Sequence, residues 1–201
     1  TQWMNQHTPK IASNLSRDEL RIRKIQFIKN NPSLKYKVSD ARQLFLAQLF
    51  SEFDYPQAEN LAAECFAHFY NARQQVTLFD DVRTVLEKLN QHFKVIAITN
   101  GNANIEMVGL SEYFDFCLNA EDFTLPKPHG DIFQEALAQA NVSAGQCLHV
   151  GDHPVHDIQG ARDIGMKTCW LEDGKRPWQL PFDADITITH VRDLLSLINC
   201  D

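Results

Sequence analysis

The sequence predicts an α/β protein: a parallel sheet covered by helices, preceded by an all-helical subdomain. Three observations predict it. Up to about residue 75 apolar residues recur three and four apart with no convincing strand. Beyond Val76, short apolar runs alternate with helical periods, the pattern of a parallel sheet with crossover helices. Turn and cap residues stand at the junctions. The chain divides on this reading into a helical region, 1–75, incomplete at its N-terminal side, and an α/β region, 76–201.

In the first region Leu20, Ile25, Phe27 and Ile28 form one helical stripe, and Leu44, Phe45, Leu49 and Phe50 another. Pro32 stops the first helix and Ser39-Asp40 caps the second. Asp54-Tyr55-Pro56 breaks the chain before a third helix through Leu61, Cys65, Phe66 and Phe69. In the second region a helix over 80–90, capped by Asp80-Asp81, leads to a strand over 94–99 and a helix through Glu106 and Leu110. Further strands are expected at 116–118, 147–150, 168–171 and 186–188, with helices near 132–139, 158–164 and 191–198. In such a sheet, binding groups collect outside the carboxyl ends of the strands.

Composition narrows the function classes. The 201 residues are 44% hydrophobic and 22% charged, ordinary globular usage, and no segment approaches the ~20 apolar residues of a membrane span. The net charge of -7, with basic residues scattered, repels a polyphosphate backbone, so neither nucleic acid nor membrane is expected as a partner. Cys65, Cys117, Cys147, Cys169 and Cys200 lie far apart with no Cys-x-x-Cys pair, which reads as reduced, packing thiols of a cytoplasmic protein. Trp3, Trp170 and Trp178 read as packing residues.

Three loops carry candidate chemistry. The 94–99 strand ends in Thr99-Asn100-Gly101-Asn102, where a hydroxyl and turn N–H groups suit a phosphate. The run Leu148-His149-Val150-Gly151-Asp152 is an apolar strand stopping on a carboxylate, with Asp157 five residues on. Hard oxygen donors at a strand edge suit Mg²⁺, which takes one or two carboxylates, waters and phosphate oxygens. Between them Lys127, flanked by Pro126 and Pro128, has a constrained backbone from which its ammonium can neutralise a phosphoryl group. Each has a plainer reading: a simple turn, a helix N-cap with a turn aspartate, a solvated lysine. His149, His153 and His156 surround the aspartates, but no common facing marks them as metal ligands.

In their order, Thr99, Lys127 and Gly151-Asp152 with Asp157 resemble the second, third and fourth motifs of the haloacid dehalogenase superfamily, and the helical region resembles the cap inserted in one branch of it. Stretches 95–102 and 149–157 resemble the bacterial branch that includes 5-amino-6-(5-phospho-D-ribitylamino)uracil phosphatase. The resemblance implies a Rossmann-like parallel core and Mg²⁺-dependent hydrolysis of a small phosphomonoester through an aspartyl phosphate. It implies Thr99 and Lys127 as catalytic groups, Thr99, Asn100, Gly101 and Lys127 around phosphate, and Asp152 with Asp157 at the metal. A non-catalytic phosphate-binding or interaction protein is the alternative. Haloacid dehalogenation is the weaker one, since Gly151-Asp152 points to a metal those dehalogenases do not use.

The resemblance also implies a first motif, Asp-x-Asp-x-Thr or Val, on a central strand ahead of the cap, its first aspartate the nucleophile and its second the acid and base. None precedes residue 76, and the chain opens on Thr1. Asp183-Ala184-Asp185-Ile186-Thr187 matches the letters, but no apolar strand leads into Asp183 and no cap follows. The expectation is that the strand lies upstream of Thr1, that another chain supplies it, or that the sheet closes by pairing the strands ending at Thr99 and Val150. Unpaired strand edges would also favour a homodimer.

Overall fold

The computed structural model describes residues 2–197 and falls into two compact units, Thr1–Val76 and Thr77–Asp201. The first is helical throughout: α1 (Gln2–His7), α2 (Pro9–Asn14), α3 (Arg17–Asn30), α4 (Val38–Glu52) and α5 (Ala58–Gln74). Its core joins Ile11 to the inner stripe of α4 (Phe45, Leu46, Leu49, Phe50) and to Ala62 and Cys65 of α5. Ser16 starts α3 with a reciprocal cap: its hydroxyl accepts the Glu19 N–H while the Glu19 carboxylate accepts the Ser16 N–H. The α4 cap differs from expectation. The helix begins at Val38 with Lys37 before it, so Ser39 and Asp40 lie inside its first turn.

In the second unit α6 (Val82–Asn90) precedes β1 (Ile96–Thr99), β2 (Phe116–Asn119), α7 (Asp131–Ala140), β3 (Leu148–Gly151), α8 (Gly160–Asp163), β4 (Lys167–Leu171) and β5 (Ile186–Ile188), with a 3₁₀ segment at Val191–Leu197. All pairings are parallel, in the orders β1-β2 and β3-β4-β5. One core packs Ile132, Phe133, Ala136 and Ala161 with Leu118 of β2; the other gathers Val85, Cys169, Ile188 and Leu194. Trp170 is buried against Trp178, Cys65 and Cys169 are buried and free, and Cys200 lies outside the described residues.

Several expectations are corrected. Among the described residues β1 and β3 are not bonded to each other, so the sheet has not closed by pairing the strands that end at Thr99 and Val150. The sheet is also not covered on both faces along β3, where Leu148 and Val150 are 37% and 38% exposed. The helix through Glu106 and Leu110 is a single turn: Asn104 Oδ1 accepts the N–H of Glu106 and of Met107, and Gly109 at φ +74 ends it as Leu110 N–H returns to the Ile105 carbonyl. The segment after residue 191 has 3₁₀ rather than α geometry, and Ile198 lies outside the described residues. Asp81 makes no side-chain cap on α6 and faces Arg192 instead, at 3.6 Å.

Asp185, in the segment whose letters imitate a first motif, ties β5 to β4. Its Oδ2 accepts from both the N–H and the hydroxyl of buried Thr168, each at 2.8 Å. Asp185→Ala strips both bonds and is expected to cost about 1–2 kcal/mol in urea-induced unfolding. A variant as stable as the parent would show that water replaces the carboxylate without loss.

Candidate active site

The carboxyl ends of β1 and β3, and the segments that follow β1, β2 and β3, carry the candidate residues. β1 ends on Thr99, whose Oγ1 accepts the Gly101 N–H at 2.9 Å, so the hydroxyl keeps its own proton to donate. Gly101 N–H, expected to face phosphate, is thereby engaged. Asn100 is engaged too. Its Nδ2 donates to the Lys127 carbonyl at 2.8 Å and its Oδ1 accepts the Lys127 N–H at 2.9 Å. The carboxamide mimics a backbone partner and clamps the 126–128 segment to the end of β1. The Lys127-Pro128 peptide within it is cis.

Held this way, Lys127 points inward. Its ammonium donates to Asp157 Oδ1 at 2.6 Å and to the Ile98 carbonyl at 2.9 Å. Lysine is almost never this buried without a partner, and here both side chains of the ion pair are under 10% exposed. The Ile98 contact also satisfies a strand-edge carbonyl of β1. One ammonium thus links the end of β1 to the turn after β3.

Asp157 lies in a wide π-type turn, Pro154–Gln159, that runs into α8. Its second oxygen accepts the His153 N–H at 3.0 Å, and Oδ1 also meets His149 Nε2 at 3.4 Å. Burial alone pushes the Asp157 carboxyl up. The His149 ring and the Lys127 ammonium more than offset that and hold it well below the usual carboxylate range. Burial lowers the His149 pKa, keeping a neutral ring edge-on to Phe133. Both Asp157 oxygens thus accept from protein donors. Gly151 makes room for this side chain: a Cβ there would fall 2.3 Å from Asp157 Cγ.

Asp152 is the more open carboxylate, its side chain 44% exposed. Its Oδ2 accepts from Arg176 Nη1, and its carbonyl accepts from Trp170 Nε1 at 3.3 Å. His153 and His156 stack with centroids 3.9 Å apart, the His156 N–H donating to His153 Nδ1. Among the described residues, no group of three or more His, Cys, Asp and Glu is placed to hold a metal. Arg176 escaped sequence reasoning. Its one signal is position, in the loop that follows the carboxyl end of β4. Asn119 was missed as well; it pairs in register with Thr99, and its buried Oδ1 has no partner among the described residues.

The family model described as haloacid dehalogenase-like hydrolase matches residues 25–171. The chain belongs to the haloacid dehalogenase-like hydrolases. Within that family it aligns with phosphoric monoester hydrolases. It is 31% identical over 161 residues to the 5-amino-6-(5-phospho-D-ribitylamino)uracil phosphatase YigB of Escherichia coli, covering 78% of this chain and 68% of that protein. It is 31% identical over 125 residues to the glyceraldehyde 3-phosphate phosphatase of Pyrococcus furiosus, covering 58% of this chain and 52% of that protein. A crystal structure described as the 2-haloacid dehalogenase of Pseudomonas syringae pv. tomato superposes with a TM-score of 0.90 at 34% identity, covering 98% of this chain and 86% of that one. The α/β fold with its helical region is thus the haloacid dehalogenase-like fold. No described helix is long and apolar enough to cross a membrane.

Proposed function

We propose that this haloacid dehalogenase-like protein is a Mg²⁺-dependent phosphatase of a small phosphomonoester, acting in the cytoplasm. The observation that carries the reading is the buried Lys127–Asp157 pair, held by the Ile98 carbonyl against β1, the strand that ends on Thr99. A fixed cation at the end of a strand that closes on a hydroxyl residue suits the charge developing on a transferring phosphoryl group.

The donor chemistry fits Mg²⁺ at one position. Asp152 offers a hard, accessible oxygen at the sheet edge, and one carboxylate completed by waters and phosphate oxygens is an ordinary Mg²⁺ set. The ion would neutralise phosphoryl charge there. In this reading Lys127 balances charge on the phosphoryl oxygens, Thr99 donates its hydroxyl to one of them, and Asp157 fixes the lysine through Oδ1 while its Oδ2 holds the His153 N–H. Asn100 sets the height of the lysine loop. The nucleophilic and acid–base aspartates are assigned to a strand that would pair between β1 and β3, which are not bonded to each other; the resulting intermediate would be an aspartyl phosphate.

The test is Mg²⁺-dependent phosphate release from sugar, nucleotide and ribitylamino-pyrimidine phosphates, comparing the full open reading frame with the 201-residue chain. Activity confined to the longer protein, and lost on chelation with EDTA, is the expected outcome. The likeness to the Pseudomonas protein named a 2-haloacid dehalogenase supports a second reading, halide release from a 2-haloacid. Metal-independent halide release with no phosphate release would replace the first reading with that one. Phosphate binding without turnover in a folded full-length protein would turn it to the non-catalytic module.

A further inference from the structure

The loop after β4 is braced at several points. Trp170 Nε1 donates to the Asp152 carbonyl, Trp170 packs on Trp178 with centroids 4.7 Å apart, and Trp178 Nε1 donates to the Phe182 carbonyl at 3.0 Å. Between these, Asp173 Oδ1 accepts the Lys175 N–H at 2.9 Å across a turn in which Gly174 takes φ +72. Together these contacts carry the Arg176 guanidinium to Asp152 Oδ2. The same Nη1 lies 3.9 Å from Asp173 Oδ2, a second carboxylate within its reach.

We infer that Arg176 tunes the divalent-cation affinity of Asp152 by competing for the same carboxylate. The inference rests on the reading of Asp152 as the Mg²⁺ ligand. A guanidinium on Oδ2 takes up part of the carboxylate's lone-pair capacity and repels a dication brought to the same group. The Arg176 and Asp152 side chains are 40% and 44% exposed, so the pair is weak enough to open and the arginine tunes rather than blocks. Asp173 gives the displaced group a place to go. Arg176 is on this account a positioning residue, setting the Mg²⁺ concentration at which the site fills.

Calorimetric titration of Mg²⁺ into the full-length protein and its variants decides the matter without reference to turnover. Arg176→Gln is expected to tighten Mg²⁺ binding about three- to tenfold. Arg176→Lys, which keeps the charge but loses the planar fork, should fall between that variant and the parent. It decides the question if the glutamine variant does not fold. Asp152→Asn should abolish the binding isotherm. Unchanged or weaker binding in Arg176→Gln, with Asp152→Asn silent, overturns the inference and leaves the metal assignment standing. Undiminished binding in Asp152→Asn overturns both.

Discussion

Lys127→Met should lower the stability of the protein by about 3–5 kcal/mol, since it leaves the Asp157 carboxylate buried without its cation. The pair is under 10% exposed on both sides, so water cannot take the place of the ammonium, and the Ile98 carbonyl loses its donor as well. Urea denaturation measures the loss. Lys127→Met with Asp157→Asn should recover most of it, because no unpaired charge then remains inside. A single variant within 1 kcal/mol of the parent would mean that Asp157 is stabilised by His149 and the His153 N–H alone. Phosphate release should vanish in single and double variants alike, separating the electrostatic task of the lysine from its part in folding.

The pair and its histidine also set an acid limit. The folded pKa of Asp157 is depressed, so its contribution is present above the unfolded value and is lost as pH falls below about 4 toward the folded one. His149, with its folded pKa also lowered, is held neutral by burial while the unfolded chain takes up a proton below about pH 6.5. Both make the unfolded state bind more protons, so stability declines from near neutrality downward and steepens below pH 4. In the double variant the steep lower part should disappear.

Gly151→Ala is the second change with a large expected effect. The added methyl would lie 2.3 Å from Asp157 Cγ and 2.5 Å from its Oδ2, and that carboxyl cannot retreat without giving up Lys127 or the His153 N–H. Overpacking combined with a displaced ion pair is expected to cost about 3 kcal/mol, and a carboxylate moved by an ångström should depress phosphate release roughly a hundredfold. Thermal unfolding with single-turnover phosphate release reads both quantities. An alanine variant with unaltered midpoint and rate would show that the turn after β3 has a second seat for Asp157.

The elements that the sequence disclosed are those whose signal is local. Lys167–Leu171 is a short apolar run between polar turns, and α4 carries an unbroken stripe from Phe45 to Phe50, so period and length identify them. The helix read through Glu106 failed because the same local signal is overruled at both ends, by the Asn104 side chain and by Gly109. At the site, the three loops were legible because a strand ending on Thr99 or on Gly151-Asp152 has a characteristic punctuation. What each residue does there was not. Asn100 meets Lys127 across 27 positions and Asp157 meets Lys127 across 30, separations at which residue type alone does not say which groups meet. Arg176 was hidden for the same reason, 24 positions from its partner in a loop without motif.

The contacts of the Lys127 ammonium have a directional consequence. An ammonium carries three N–H bonds fixed tetrahedrally about nitrogen; one is aimed at Asp157 and one at the Ile98 carbonyl. A free lysine swivels to greet an anion from any side, but this one presents a single remaining proton along a single bearing. An incoming ester would be met as by a pin rather than a cushion, and a phosphoryl oxygen a few tenths of an ångström off that line would gain the charge but not the hydrogen bond. Discrimination among esters that place their phosphate differently would then begin at an atom whose orientation is dictated by the backbone of β1.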